Sequence, residues 1–349
     1  MLTTPFKALS VSCVLIVLIA CPLSMAQSQI FPKLSNVKDF DDFLRQTGKV
    51  YIDPKERQLR ESLFIAKKAY VDLGNKNAAD NKASFTMNLN TLADLTHDEV
   101  SKLYGSKISF SGENLTSTHV NFVTSKSKNL NLPEHFDWRE LGGVTPPDFQ
   151  GFQCGACWSF ATVGALEGHL FRRTGLLVPL SAQNLVDCAE DYGTTGCDGG
   201  FQEYAFEYIR DHGISVANRY PYIQSENPEC GRNETTDKGV YIRDYARIKP
   251  GDEEKMREVI ATLGPVACSI NADTSSFEQY IGGIYDDDAC NEGEVNHSVL
   301  VVGYGSKYGR DYWIVKNSYS ANWGENGFFK LPRYKNSCGI ATECSFPIL

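Results

Sequence analysis

Residues 150–161 read Q-G-F-Q-C-G-A-C-W-S-F-A, and immediately after Cys157 the pattern becomes helical. Phe160, Val163, Leu166 and Leu170 recur at intervals of three and four, marking one face of a helix that ends near Gly175. A thiol at the start of that helix sits at the positive end of the helix dipole, which favours the thiolate. Gly155 leaves the approach to the sulfur clear of a side chain. Cys154 and Cys157 also fit half of a zinc site, a thioredoxin-like pair, or two structural cysteines. The chain has no second C-x-x-C to complete a zinc site, and no parallel βαβ pattern surrounds this one. A nucleophile and a structural pair both remain.

A thiol nucleophile needs a base, and the base needs a group to orient it. Of the six histidines, His97 and His119 lie early in the chain, and His135, His169 and His212 sit among charged or loop residues. His297 differs, because it enters the apolar run S-V-L-V-V-G-Y-G, which reads as a buried strand. Asp311 to Lys316 reads as a second strand and delivers Asn317 to a turn, where its amide can accept from an imidazole. Taken alone, His297 is a core histidine and Asn317 a turn former. Taken with Cys157, they make a nucleophile, a base and an uncharged orienting group.

The remainder of the chain frames that set. It has 349 residues, 42% hydrophobic and 11% aromatic, a globular composition. A net charge of −9 argues against a nucleic-acid-binding domain, which would carry a basic face. Lys7, the apolar run Val11–Ala20 and the small residues Ser24 and Ala26 follow the order of a secretory signal peptide. The run is shorter than the roughly 20 residues that cross a bilayer, and no later segment is apolar enough to do so. Of the 11 cysteines, Cys13 and Cys21 leave with this segment, and the other nine all lie from Cys154 onward. An odd count in a secreted chain implies disulfides and one thiol held back.

The cysteine-free leader has its own pattern. Phe40, Phe43, Leu44 and Val50 fall at roughly helical spacing. A longer helix is expected from Pro54 to about Leu73, with Gly74-Asn75 as its stop. Leu59, Leu63, Ala66 and Tyr70 form an apolar stripe along it, while Glu56, Arg60, Phe64, Val71 and Asn75 share another face. Residues 85–95 alternate in part, as a short strand would. Residues 96–105 read as a short helix with Thr96 as cap and Glu99 three positions on. Residues 106–129, rich in Ser, Asn, Thr and Lys, suit a linker cut during activation.

This leader resembles the propeptide of cathepsin L-type proteases of the papain family. The family pattern E-x3-R-x3-F-x2-N-x3-I/V-x3-N runs here as Glu56, Arg60, Phe64, Lys67, Val71 and Asn75, with Lys67 the departure. The signature G-x-N-x-F-x-D follows as Asn88, Asn90, Leu92 and Asp94, with two positions changed. The run L-P-E-H-F-D-W-R-E-L-G-G-V-T-P from Leu132 is similar to the mature start of papain-type enzymes. Cys157, His297 and Asn317 match the family's nucleophile, base and orienting amide. Gln150 matches the glutamine that lends an N–H to the oxyanion hole beside the backbone N–H of Cys157. The likeness covers nearly all of residues 36–349.

The resemblance implies an α+β, papain-like two-lobed fold. A helical left lobe carries Cys157, an antiparallel β-barrel right lobe carries His297 and Asn317, and an N-terminal helical inhibitory propeptide lies backwards in the cleft between them. The implied organisation is a signal peptide at 1–26, an inhibitory propeptide at 27–131 and a peptidase domain at 132–349. Two departures stand out. Gln150 to Cys157 is one position longer than the family spacing, so the loop must bulge near Phe152. Tyr319 replaces the indole that covers the Asn–His pair, while Trp323 retains the later aromatic.

Eight cysteines besides Cys157 allow roughly a hundred pairings. The resemblance selects Cys154–Cys197, Cys188–Cys230 and Cys290–Cys338, and parity leaves Cys268 with Cys344. The family's specificity pocket, S2, maps onto Phe201, Gln202, Ser269, Val295, Ser298 and Glu343, with Gly200 pairing its backbone with substrate. Such a wall admits an apolar or aromatic P2 side chain. Glu343 at the floor either takes Arg as a bidentate pair or turns to solvent.

No occluding loop or aminopeptidase mini-chain is apparent, which implies a cysteine endopeptidase made as a zymogen. No metal or organic cofactor is implied. Protein and peptide substrates, the chain's own propeptide and cystatin-type inhibitors are the expected partners of a monomer in the lysosome or outside the cell. Asn114 and Asn233 head glycosylation signals. Asn296 heads a third, but a glycan beside His297 would block the cleft. Two other classes are an inactive relative that binds peptides, suggested by the longer Gln150 loop and Tyr319, and a leader released as a protease inhibitor.

Overall fold

The computed structural model describes residues 31–105, 122–123 and 131–349. The expected signal segment, Asn114 and most of the expected linker lie outside them. The leader opens with α1 (Phe40–Thr47), capped by the Asp39 side chain on Asp42 N. Helix α2 (Pro54–Ala79) begins with the Asp53 cap and Pro54 in its first turn. It does not stop at Gly74-Asn75. Asn75 clasps the Met87 backbone with two hydrogen bonds of 2.8 and 2.9 Å, which docks β1 (Phe85–Met87) on the helix. A Cβ on Gly74 would lie 1.9 Å from Met87 Cε, so glycine here admits the strand rather than ending the helix.

The face of α2 that is buried is Arg60, Phe64 and Val71. The all-apolar stripe is largely outside, with Leu59 48% and Tyr70 43% exposed. Phe64 packs on Phe40 and Phe43 at ring distances of 5.6 and 5.0 Å. Arg60 forks onto both oxygens of Glu99 and reaches the Asp94 carbonyl at 3.1 Å. Glu99 belongs to a complete capping box with Thr96 at the start of α3 (His97–Val100). Lys49 and Tyr51 converge on the buried Asp94 carboxylate. These polar partners are what let a charged face go inside.

Strands β2 (Phe122–Val123) and β3 (Phe136–Asp137) lead into the helical lobe of α4 (Cys157–Thr174), α5 (Ala182–Cys188) and α6 (Gln202–His212). Helix α4 is its axis, with Trp158 and Leu166 fully buried against residues such as Leu185, Phe206 and Ile209. Cys154–Cys197 and Cys188–Cys230 staple its loops.

The second lobe contains β4 (Asp244–Ile248), α7 (Glu253–Thr262), β5 (Val266–Ile270), α8 (Ser275–Glu278), β6 (Tyr280–Gly283), β7 (His297–Lys307), β8 (Arg310–Lys316), β9 (Phe328–Pro332) and β10 (Cys344–Ile348). The sheet runs β2-β4-β10-β5-β7-β8-β9, an open path with β3 added on β7. It is antiparallel apart from the β2–β4 pair. Cys268 and Cys344 face each other across β5 and β10 and are bonded, and Cys290 joins Cys338.

The leader is fastened to this lobe. Its β1 pairs antiparallel with β6, and its Phe43, Phe64 and Leu92 share one continuous core with Phe277, Tyr280 and Trp323. Lys67, the departure from the family pattern, reaches Glu278 Oε2 at 2.7 Å and Ser275 Oγ at 2.8 Å.

The Arg60 guanidinium beside Glu99 holds its carboxyl down to about 2, against an ordinary 4.5. The folded value lies below the unfolded one, so this pair supports the leader fully above pH 4.5 and progressively less as pH falls toward 2. Precursor latency is expected to weaken through that interval. Glu99→Gln is expected to release activity at higher pH and to flatten that part of the pH dependence, as read from activity against pH in freshly folded precursor.

Candidate active site

Cys157 is the first residue of α4, and Ala156 before it offers no side-chain cap. The N–H groups of Cys157 and Trp158 are not taken up by a side-chain cap, while Ser159 N bonds to Ala156 O at 3.0 Å. The Cys154–Cys197 bridge and a 2.7 Å bond from Gly155 N to Cys197 O pin the approach to the helix. Among the described residues, Cys157 is the free cysteine.

His297 opens β7 and is wholly buried. Its Nε2 lies 2.8 Å from Asn317 Oδ1, just beyond β8. Asn317 is itself fixed, its backbone N–H bonded to Gly327 O and its Oδ1 accepting also from Ser318 N at 2.8 Å. An amide oxygen can only accept, so the imidazole donates from Nε2. Its Nδ1 is left buried without a partner. The backbone N–H of Ser298, the next residue, points at Cys157 Sγ from 3.3 Å. The helical lobe's thiol and the sheet lobe's backbone therefore meet where the start of α4 faces the start of β7. Tyr319 covers the imidazole with a ring distance of 4.9 Å, and is backed edge-on by Trp323 at 5.7 Å.

Gln150 also faces this junction. Its Nε2 donates to Cys154 O at 2.9 Å and to Leu103 O of the leader at 2.8 Å, and Ser318 Oγ donates to its Oε1. The extra residue of the loop is taken up by Phe152, which packs against Phe149 at 4.8 Å and Phe31 at 6.2 Å.

The leader fills the cleft over the sulfur. Tyr104 sets its ring edge-on to His297 at 6.3 Å and donates its hydroxyl to Ala272 O at 3.1 Å. Gly105 O accepts from Gly200 N at 2.9 Å. A Cβ on Gly105 would lie 2.1 Å from Gly155 O and 2.8 Å from Cys157 Sγ, so only glycine passes here. The leader runs from Gln150 toward Gly200. A substrate pairing its acyl side with Gly200 and offering its reacting carbonyl to Gln150 would run the other way. The three leader residues at the cleft, Leu103, Tyr104 and Gly105, carry no signal in the sequence beyond following the α3 cap.

Burial under the leader changes the electrostatics. It pushes the Cys157 thiol up despite the N–H groups of Ser298, Gly105 and Trp158 that favour its thiolate. It pulls His297 down to about 4, with the Asn317 bond opposing. The helix-start argument for a lowered thiol is therefore outweighed in this covered state, where both groups are neutral at mildly acid pH.

Of the residues expected in S2, Phe201, Gln202, Ser269 and Ser298 are buried together. Gln202 Nε2 donates to Ser269 Oγ at 3.3 Å, and Ser298 Oγ donates to Gln202 Oε1 at 3.2 Å. Ser269 N bonds to Glu343 O at 3.0 Å. Glu343 is pushed up to about 7 by burial first and by Glu203 next, and its Oε2 is without a partner. Val295 lies against Gly339. Gly200 backs onto the Trp158 indole. The sequence showed these as a pocket wall, not as a connected set.

Residues 132–348 match the papain family cysteine proteases, and residues 40–100 match the cathepsin propeptide inhibitor domain (I29). The chain is 40% identical over 333 residues to cathepsin L1 of Drosophila melanogaster, covering 94% of this chain and 89% of that one. It is 39% identical to cathepsin S of Mus musculus, covering 94% and 95%. The structure of digestive procathepsin L 3 from Tenebrio molitor larval midgut superposes with a TM-score of 0.78 at 35% identity, over 88% of this chain and 97% of that one.

If the leader inhibits by threading Gly105 past the sulfur, Gly105→Val should lose latency. The variant precursor is expected to alkylate at Cys157 and to hydrolyse peptide at neutral pH without acid treatment, while the unmodified precursor does neither.

Proposed function

The chain belongs to the papain family of cysteine proteases, as a zymogen with a cathepsin-type propeptide, and we propose that it becomes an endopeptidase acting through Cys157, His297 and Asn317. The observation that carries this reading is the orphaned, buried Nδ1 of His297. Asn317 holds the other nitrogen at 2.8 Å, and the next residue's N–H is on the Cys157 sulfur.

With the leader gone, water returns to the site and the desolvation that keeps both groups neutral is relieved. His297 Nδ1 takes the thiol proton and Cys157 Sγ bonds to the peptide carbonyl carbon. The oxyanion is met by Gln150 Nε2, which already donates to the Leu103 carbonyl, and by the Cys157 backbone N–H. The amine departs with the proton from His297, leaving a thioester. Water, giving a proton to the same nitrogen, hydrolyses the thioester and restores the thiol. Asn317 keeps the imidazole in the tautomer that this cycle needs.

The signal peptide 1–26, propeptide 27–131 and peptidase 132–349 are the units of this reading. The docking of Pro133 O by Arg257 at 2.9 Å and by Tyr304 OH at 3.0 Å supports a mature start close to Leu132. The enzyme is a monomer of the secretory pathway, lysosomal or extracellular, open to cystatin-type inhibitors. The exposed Asn233, whose Oδ1 is bonded by Thr235, supports a glycan there.

Gly200 and the pocket of Phe201, Gln202, Ser269, Val295, Ser298 and Glu343 hold the acyl side of the substrate and accept a hydrophobic or aromatic P2 residue. The unpartnered Glu343 Oε2 supports Arg as a second P2 residue.

Acid activation followed by a thiol-directed epoxide should label one site per molecule, and Cys157→Ser should abolish both labelling and hydrolysis. Labelling elsewhere, or peptide binding without turnover, would favour the inactive relative. Separately, Glu343→Ala should cut hydrolysis of Arg-P2 substrates about tenfold or more while sparing Phe-P2 substrates. An unchanged Phe/Arg ratio would remove Glu343 from specificity.

A further inference from the structure

The bridge that parity left over, Cys268–Cys344, sits beside the S2 residues. It joins directly opposite residues of β5 and β10, with Cα atoms 4.2 Å apart. One step along, Ser269 N bonds to Glu343 O at 3.0 Å. Ser269 and Glu343 are therefore the hydrogen-bonded pair, and the cysteines are the adjacent close pair, which by ladder geometry has no backbone bond of its own. On the other edge of β5, Ser269 lies opposite Ser298 and Ile270 opposite His297. Glu343, Ser269 and Ser298 thus form one row across β10, β5 and β7, ending next to the imidazole residue.

Successive side chains of a strand point to opposite faces. Gln202 marks the face of the row, since its amide touches both the Ser269 and the Ser298 hydroxyls, at 3.3 and 3.2 Å. The cysteines point the other way, where the Met256 sulfur of α7 lies 3.9 Å from Cys268 Sγ and 3.6 Å from Cys344 Sγ. Strand β10 pairs with β4 from Cys344 to Ile348, but with β5 only at Cys344 and Ser345. The hold of β5 on this strand is therefore short. A slip of β10 along β5 by one residue would turn Glu343 off the face of the row, and a slip by two would put Ala341 or Ser345 in its place. A covalent bond between opposite residues forbids both. The Cys290–Cys338 bridge anchors the start of the same segment, so Glu343 is bracketed by two disulfides.

We propose that Cys268 and Cys344 are positioning residues for substrate selection, whose bridge locks the register of β10 on β5 and so holds the Glu343 carboxylate where a basic P2 side chain meets it. This rests on the reading of Glu343 as the floor of S2. The planar guanidinium of Arg pairs with a carboxylate only in a narrow geometry, whereas an apolar P2 side chain needs only a volume to fill. Loss of register therefore falls on Arg far more than on Phe. A bridge that served stability alone would lower both rates together.

The test uses two bridgeless precursors, Cys268→Val with Cys344→Ala and Cys268→Ala with Cys344→Val, each converted by acid to mature enzyme. Hydrolysis of Arg-P2 and Phe-P2 peptides is measured on the same sample, so the folded fraction cancels in the ratio of the two rates. The Arg/Phe ratio is expected to fall about tenfold in both variants. Removing Cys188–Cys230 in the helical lobe should lower thermal stability and leave the ratio as it is. A ratio that stays at the wild-type value in the bridgeless enzymes overturns the proposal, whatever their melting temperature. Should neither variant fold, hydrogen exchange in the unsubstituted mature enzyme decides. The Ser269 amide should then exchange as slowly as the β5 amides bonded to β7, and exchange at the rate of an exposed loop overturns the locked register. Glu343→Ala, run alongside, separates the two failures. If it removes Arg cleavage while the bridgeless enzymes keep it, the bridge has no positioning role and the pocket reading stands; if it leaves the ratio unchanged, the pocket reading falls and takes the bridge's role with it.

Discussion

The site is fixed where two lobes meet, with the N–H of Ser298 on the sulfur of Cys157. The thiol is placed by the start of a helix and the imidazole by the start of a strand, and neither lobe contains both. The Cys154–Cys197 bridge holds the loop before α4. On the other side, β7 is buried along its first nine residues and hydrogen-bonded to β5 and β8. Two rigid elements meeting start to start place the thiol and the imidazole without a flexible loop between them.

The leader exploits the same junction. It lies in the cleft against the direction expected of a substrate and excludes water from the sulfur and the imidazole. In that dry setting the neutral pair is favoured over the ion pair, because burial without water penalises both charges. Latency therefore has two physical parts, a blocked cleft and an unformed thiolate. The leader's own fold rests on charges that are internally paired, Arg60 with Glu99 and Lys49 with Asp94, and on Lys67 reaching across to Glu278.

Much of the candidate site was legible because its residues are tied to local pattern. A cysteine at a helix start, a histidine at a strand start and an asparagine after a strand are visible one element at a time. What was not legible is nonlocal. The buried face of α2 includes Arg60, paired with a residue 39 positions away, and Lys67, paired with one 211 away. Local hydrophobicity instead favoured the stripe that faces solvent. Gly74 read as a stop because the strand that needs its missing side chain comes later in the chain. The longer Gln150 loop could not be judged from spacing, since Phe152 is accommodated by Phe149 and by Phe31 of the leader. The thiol was expected to be lowered by its helix, and the helix is as expected, but the covering leader outweighs it.

The central claim is that the leader holds Cys157 and His297 neutral rather than only shielding them. Nitrogen NMR of 15N-histidine-labelled protein reads this directly at His297, comparing precursor with the mature enzyme at about pH 5.5. The account predicts a neutral ring in the precursor, protonated at Nε2 and bare at Nδ1, and an imidazolium in the mature enzyme. An imidazolium already present in the precursor at that pH would contradict it.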